Sequence, residues 1–387
     1  MNHLFKNLVF VIVLFSASAI CEEIQRKQTR QNRARDLGIS FEGTPGKLNA
    51  ITDVPGVLVG HETIIKGEGE LIVGRGPIRT GVTAILPTGK SFRKIFASGG
   101  KLNGNGEFTG MHWVEESGML EEPILFTNTH SIGAAHQAAI KWRQENKYHN
   151  GKSKYDFASL PVIGETWDGR LNDIHGFHVK EKHVLKALNN ASGGAILEGN
   201  VGGGTGMVCF KFKGGIGTSS RITEDGFVLG ALVQANFGSR EDLKISGKKI
   251  GKEIPDLNPV MNSILPSEPG NSILVVIGTN APLLPHQLKR LTNRIPLGIQ
   301  RTGGVGYNSS GDLFITFSTA PLEKRKNGKL ALNMIPNEKI DQFFKAVIQT
   351  TEESIINALV AARSMTGING NHVYELPESK IKKLFNP

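Results

Sequence analysis

Short runs of β-branched and other apolar residues, each closed by glycine or another turn former, recur from Asn49 onward and commit this chain to a sheet-containing fold. Residues 57–60, 81–86 and 124–126 are such runs, and each predicts a strand. Glycine supplies 47 of 387 residues with no collagen period and no low-complexity run, so tight turns and close backbone approaches separate the strands. Residues 226–235, 273–277 and 313–317 predict further strands. Helical spacing takes over between them. Residues 131–143 carry Ile132, Ala135, Ala139 and Ile140 on one face, with Ser131 as the expected N-cap. Residues 180–190 predict a second helix, and 285–294 a short cationic one with proline in its first turn. The strongest pattern spans 337–363, where Ile340, Phe343, Phe344, Val347, Thr351, Ile355 and Leu359 form one stripe behind an expected Asn337 cap. Strands and helices mix without strict alternation, so stacked sheets covered by helices, an α+β sandwich, fit best.

The chain opens on an export pattern. A cationic start through Lys6 precedes an apolar run over residues 8–15 and an Ala17-Ser18-Ala19 exit, so 1–19 is an expected signal peptide. That run is well short of the roughly 20 residues a spanning helix needs, so a periplasmic or secreted protein with no stable membrane insertion is expected. Bulky Ile20 argues against lipid attachment at Cys21. Residues 20–35 are polar and charged and form an expected flexible lead; 36–387 are expected to be a single catalytic domain.

Composition removes several function classes. The net charge of +10 is carried partly by Arg26, Lys27, Arg30, Arg33 and Arg35 after the signal, and partly by a basic cluster at 324–329 around the Asn327-Gly328 turn. Neither cluster interleaves aromatics, so no nucleic-acid platform is expected. Cys21 and Cys209 make neither a disulfide framework nor a metal spacing, and Cys209 reads as a buried, inert thiol. The glycine stretch 199–206 fails the dinucleotide pattern because Met207 stands where the third glycine belongs. Gly89-Lys90-Ser91 lacks the first P-loop glycine, which is Ala84 here. There is no H-E-x-x-H and no G-x-S-x-G, so no metal and no cofactor is expected.

Chemistry concentrates where the turn Glu268-Pro269-Gly270-Asn271 ends in Ser272 and the apolar run Ile273-Leu274-Val275-Val276-Ile277 begins. A buried strand would hold Ser272 at its leading end. If the Asn271–Ser272 bond is strained there, the Ser272 hydroxyl can attack the Asn271 carbonyl, and hydrolysis of the ester leaves a chain beginning with serine. Such a serine carries its own base, an α-amine of pKa near ~8. By itself, a turn leading into a strand through a serine is a common pattern.

The surrounding segments are more specific. Arg33-Ala34-Arg35-Asp36-Leu37-Gly38, Asn49-Ala50-Ile51-Thr52-Asp53-Val54-Pro55-Gly56, Arg79-Thr80-Gly81-Val82-Thr83-Ala84, Leu102-Asn103-Gly104-Asn105-Gly106-Glu107, Thr127-Asn128-Thr129-His130-Ser131, the 198–206 stretch, the 281–288 stretch and Ser309-Ser310-Gly311-Asp312 occur in one order. From about 33 to 319 the chain resembles the L-aminopeptidase/D-amidase-esterase family, which includes the β-aminopeptidases. The resemblance implies an αββα sandwich, a precursor cut into an α chain (20–271) and a β chain (272–387), and an (αβ)4 assembly acting on a small peptide or amide substrate. Matched residue by residue, Ser272 is the nucleophile and Ser310 with Asp312 the hydroxyl–acid pair beside its amine. Asn236 matches the family's oxyanion-stabilising asparagine, an amide donor of the right type for a tetrahedral oxyanion. Glu165 is the candidate for holding the substrate's ammonium. Trp167 stands where some members have tyrosine; its indole N–H donates but cannot accept or ionise, leaving a donor or pocket-wall role. The expected activity is an exported aminopeptidase or amidase. Acyl transfer or hydrolysis of a non-peptide amide on the same fold, and an uncut binding protein without catalysis, are the alternatives.

Overall fold

The computed structural model describes residues 32–91, 93–148, 160–262, 272–325 and 327–386. The export signal, Cys21, most of the lead and Asn271 lie outside the described residues.

Two sheets form the centre. The smaller contains β1 (Leu58–Lys66), β2 (Ile78–Lys90), β5 (Ile124–Asn128) and β6 (Val162–Thr166) in the order β1-β2-β5-β6. The larger contains β3 (Ile95–Gly104), β4 (Met119–Leu120), β9 (Gly215–Ile222), β10 (Val228–Asn236), β11 (Ser272–Thr279) and β12 (Gly311–Ser318), ordered β4-β3-β12-β11-β10-β9. Between β6 and β9 lies a small ladder of β7 (Val208–Cys209) and β8 (Phe212–Lys213). The helices used below are α1 (Met111–Ser117), α2 (Ile132–Tyr148), α3 (Glu181–Asn189), α4 (Pro285–Thr292), α5 (Ile295–Arg301), α6 (Asp341–Ala361) and α7 (Glu378–Phe385).

Three apolar layers account for the sandwich. Ile85, Ile124, Phe126 and Val162 of the small sheet meet Leu232, Leu274, Val276 and Ile315 of the large one between the sheets. Ala135, Ala138, Ala139 and Trp142 of α2 and Val184, Ala187 and Leu188 of α3 cover the small sheet through Val82, Ala84, Leu125 and Ile163. Phe343, Val347, Ile355 and Leu359 of α6, with Leu288 and Leu291 of α4, cover Ala231, Val233, Val275 and Ile277 on the far face of the large sheet. Strand β11 is buried on both faces, which explains its unbroken apolar run. Each of those side chains stabilises by roughly 1.5–3 kcal/mol when fully buried. This is the expected αββα order.

Two capping expectations fail. A turn of 3-10 helix over Thr129–Ser131 precedes α2, and the buried Ser131 hydroxyl has no partner among the described residues. Asn337 lies inside a 3-10 turn ahead of α6, and its Oδ1 accepts a hydrogen bond from Arg290 at 3.0 Å instead of capping. Residues 285–294 resolve into α4, with Pro285 at its first turn, followed by a second short helix, α5. The basic cluster around Asn327-Gly328 is a hairpin turn, as expected, with Gly328 at φ 77°.

Candidate active site

Strand direction assembles the site. The α4–α5 crossover returns the chain so that β12 runs parallel to β11, and the two strands start side by side, with Ser272 paired to Gly311. On the other flank β10 runs antiparallel, so its last residue, Asn236, pairs with Ser272. Three distant segments thus deliver a serine, an asparagine and the Ser310–Asp312 turn to one sheet edge.

Ser272 is buried, and its Oγ accepts the Gly311 N–H at 3.2 Å. Next to it the Ser310 hydroxyl donates to Asp312 Oδ1 at 2.6 Å, while Asp312 Oδ2 is buried with no hydrogen-bond partner among the described residues. Burial pushes the Asp312 carboxyl up from 3.8 to about 6, against the opposing pull of the Ser310 hydroxyl and the Ile273 N–H. The Asn236 side chain is oriented from both ends. Its Oδ1 accepts the Val208 N–H at 2.8 Å, and its Nδ2 donates to the Trp167 carbonyl at 3.0 Å.

The small sheet contributes the other wall. Strands β5 and β6 are also parallel, and their ends bring Thr129 beside Glu165, which is 4% exposed. The Thr129 hydroxyl donates a short hydrogen bond to Glu165 Oε2, and the Glu107 N–H donates to Oε1 at 3.1 Å. Burial raises this carboxyl above its usual range, and both hydrogen bonds oppose the rise. The turn Asn105-Gly106 bridges the sheets. A Cβ on Gly106 would lie 3.0 Å from Glu165 Oε1, and one on Gly311 would lie 2.3 Å from the Asn105 carbonyl oxygen. Glycine at both positions lets Glu165 and the Ser272–Gly311 pair share one turn. Behind them the Leu274 side chain rests against Gly164, stacking β11 directly on β6.

Half-buried Trp167 follows β6, with its ring over Gly169, and joins the site through its carbonyl to Asn236. The glycine stretch at 199–206 serves packing: a Cβ on Gly203 would lie 2.7 Å from the Phe126 carbonyl oxygen of β5. Cys209 is buried, and that burial pushes its thiol up to about 12. Contributions from Thr129, the Glu107 N–H and the Val208 N–H were not legible as site chemistry. Two of them are backbone groups, which no residue type signals.

Solved structures place this fold in its class. The chain is 43% identical to L-aminopeptidase D-Ala-esterase/amidase from Ochrobactrum anthropi, with a TM-score of 0.84 over 91% of this chain and 98% of that one; that protein is described as a prototype for the serine aminopeptidases and a new variant among the Ntn hydrolase fold. A β-aminopeptidase from Burkholderia sp. is 41% identical, with a TM-score of 0.80 over the same shares. The chain belongs to peptidase family S58, whose model matches residues 49–373. It is also 46% identical over 369 residues to the β-peptidyl aminopeptidase BapA of Sphingosinicella microcystinivorans, across 91% of each protein. The protein is therefore a serine-type hydrolase of the aminopeptidase and amidase class.

Proposed function

We infer that this is an exported, self-processing aminopeptidase in which Ser272 becomes a chain terminus and acts as nucleophile and base together. The supporting observation is the shared sheet edge: Ser272 starts a central strand, flanked by Asn236 on one side and by Gly311 with its Ser310–Asp312 pair on the other. In the precursor, Ser272 Oγ attacks the Asn271 carbonyl carbon, the peptide C–N bond breaks, and water hydrolyses the ester. Chains 20–271 and 272–387 result. The freed α-amine, of pKa near ~8, then accepts the Ser272 hydroxyl proton as Oγ attacks a substrate carbonyl. Asn236 Nδ2 is the donor for the tetrahedral oxyanion. The ammonium returns its proton to the leaving amine, and water releases the acyl group. Asp312, a buried carboxylate with one oxygen unpaired among the described residues, favours an ammonium beside it, and the Ser310 hydroxyl fixes its orientation.

Glu165 lies across the Gly106 turn from this centre, where it would hold the ammonium of a substrate with a free N-terminus. Small peptides and amides fit this arrangement, and the β-peptidyl relatives make residues with a β-amino group natural candidates. An (αβ)4 assembly and a periplasmic or secreted location complete the proposal. The Ser272→Ala variant tests it: the protein should run as one uncut band with aminopeptidase activity at least about a thousandfold lower. Two fragments from that variant would refute self-processing at this bond, and transfer of the acyl group to an added amine in preference to water would redirect the reading to an acyltransferase.

A further inference from the structure

Lys213 is fully buried, yet the described residues place no carboxylate within ion-pair distance of its ammonium. Its Nζ donates to three backbone carbonyls instead: Met207 at 2.6 Å, Gly214 at 2.8 Å and Gly204 at 3.4 Å. A buried cation without an ion-pair partner costs several kcal/mol unless carbonyl dipoles replace water, so this site is built around the charge, with the buried Asp168 acting on it from beyond ion-pair distance. Burial moves that ammonium down to about 7 while the Cys209 thiol and Asp168 oppose the fall, and only the protonated amine has the three N–H groups that these three carbonyls accept.

What the carbonyls are attached to is the informative part. Lys213 and Val208 are register partners across the β7–β8 ladder. The Met207 carbonyl and the Val208 N–H belong to one peptide unit, and the Val208 N–H donates to Asn236 Oδ1 at 2.8 Å. A chain of donors therefore runs from the Lys213 ammonium to the Met207 carbonyl, through that peptide to the Val208 N–H, and on to the Asn236 amide. A cation on the carbonyl polarises the peptide and strengthens its N–H as a donor. That N–H in turn draws density from the Asn236 amide and makes Nδ2 a better donor. Asn236 also pairs with Ser272 across β10 and β11, so the chain ends at the candidate nucleophile.

The geometry points to Lys213 as a positioning residue of the reaction, one that fixes and polarises the Asn236 amide through the Met207–Val208 peptide. This rests on the oxyanion role of Asn236 proposed above, and it separates Lys213 from the other buried cations. Arg221, for example, bonds the Glu42 and Ser220 carbonyls and pairs with Glu353, and Arg240 bonds the Ile254 and Asp256 carbonyls, none of which leads to Ser272.

A double-mutant cycle on Lys213→Met and Asn236→Ala tests the relay, with kcat and KM for an aminoacyl anilide expressed per mole of processed chain. Lys213→Met is expected to lower kcat by about 10- to 100-fold while KM moves less than about threefold, and Lys213→Arg to recover part of the loss. In the Asn236→Ala background, Lys213→Met should change kcat less than about twofold. Equal losses in both backgrounds would overturn the relay and leave Lys213 a purely structural residue. An Asn236→Ala variant with parental kcat would overturn the oxyanion reading itself, and the relay with it. If Lys213→Met does not accumulate as folded protein, the cycle is run with Lys213→Arg, whose displaced donors should still couple to Asn236. Additive losses there would equally contradict the relay.

Discussion

Glu353 and Asp312 are carboxylates buried to nearly the same depth, 0% and 2% exposed, and they behave in opposite ways. Glu353 sits in the middle of α6, where Arg35 clamps it with hydrogen bonds of 2.7 and 2.9 Å, Arg221 approaches to 2.7 Å and Asn49 donates at 2.6 Å. Burial alone would raise this carboxyl, but Arg35 and Arg221 together outweigh it and hold it below its usual range. Asp312 is given one hydroxyl and one backbone N–H, no cation, and is pushed up to about 6. Burial is therefore not what sets these two acids apart; the supply of counter-charge is. At the α6 face the fold is closed and neutralised, fastening the N-terminal segment to the large sheet. At the start of β11 the acid is left short of a cation, which the proposed self-processing would supply as a new ammonium.

The largest expected effect breaks the closed region. Glu353→Gln leaves Arg221 and Arg35 short of counter-charge and should cost about 3–5 kcal/mol in urea unfolding, with kcat of the folded fraction unchanged. If the variant loses turnover at parental stability, the two regions are not separable in the way described.

Next in size is Asp312→Asn in an uncut Ser272→Ala background, where no new amine can compensate the acid. Folding binds the Asp312 proton more tightly, so this carboxyl's penalty is absent below its unfolded value of 3.8 and complete above about 6. The substitution should stabilise by on the order of 2–3 kcal/mol at pH 8 and by close to nothing at pH 3.5. Glu353 has the opposite sign. Its contribution is present above the unfolded 4.5 and is lost as pH falls through its lower folded value, so the cost of Glu353→Gln should shrink in acid. Parallel pH series of the two variants that run in the same direction would contradict the contrast.

The smallest effect sharpens the site's other acid. Glu165→Gln can keep the Glu107 N–H on its one amide oxygen and turns the Thr129 contact round, its NH2 donating to that hydroxyl, while removing the charge, and should raise KM for a free-amine substrate about tenfold with a modest change in kcat. An equal rise in KM for an N-acetylated ester would mean that Glu165 does not read the ammonium.

Much of this was legible in the chain. The run from Ile273 to Ile277 is a strand buried on both faces, and the α6 stripe lies where its period put it. Ser272, Asn236, Ser310 and Asp312 meet at one edge, which individual residue types could only suggest. Helix starts were less legible, because competition for a side chain is tertiary: Asn337 is taken by Arg290 and so caps nothing. The role of Arg35 and Asn49 was hidden too, since their partner Glu353 is more than 300 residues away in sequence. Lys213 was the least legible of all. A lysine between Phe212 and Gly214 reads as the exposed side of a strand, and only folded carbonyls make it a buried cation.

Everything proposed for Ser272 depends on its nitrogen ceasing to be an amide. Mass spectrometry and N-terminal sequencing of the purified, active protein test this directly. The account predicts two polypeptides, the smaller beginning Ser272-Ile273-Leu274. A fully active protein recovered as one uninterrupted chain across Asn271–Ser272 would contradict it.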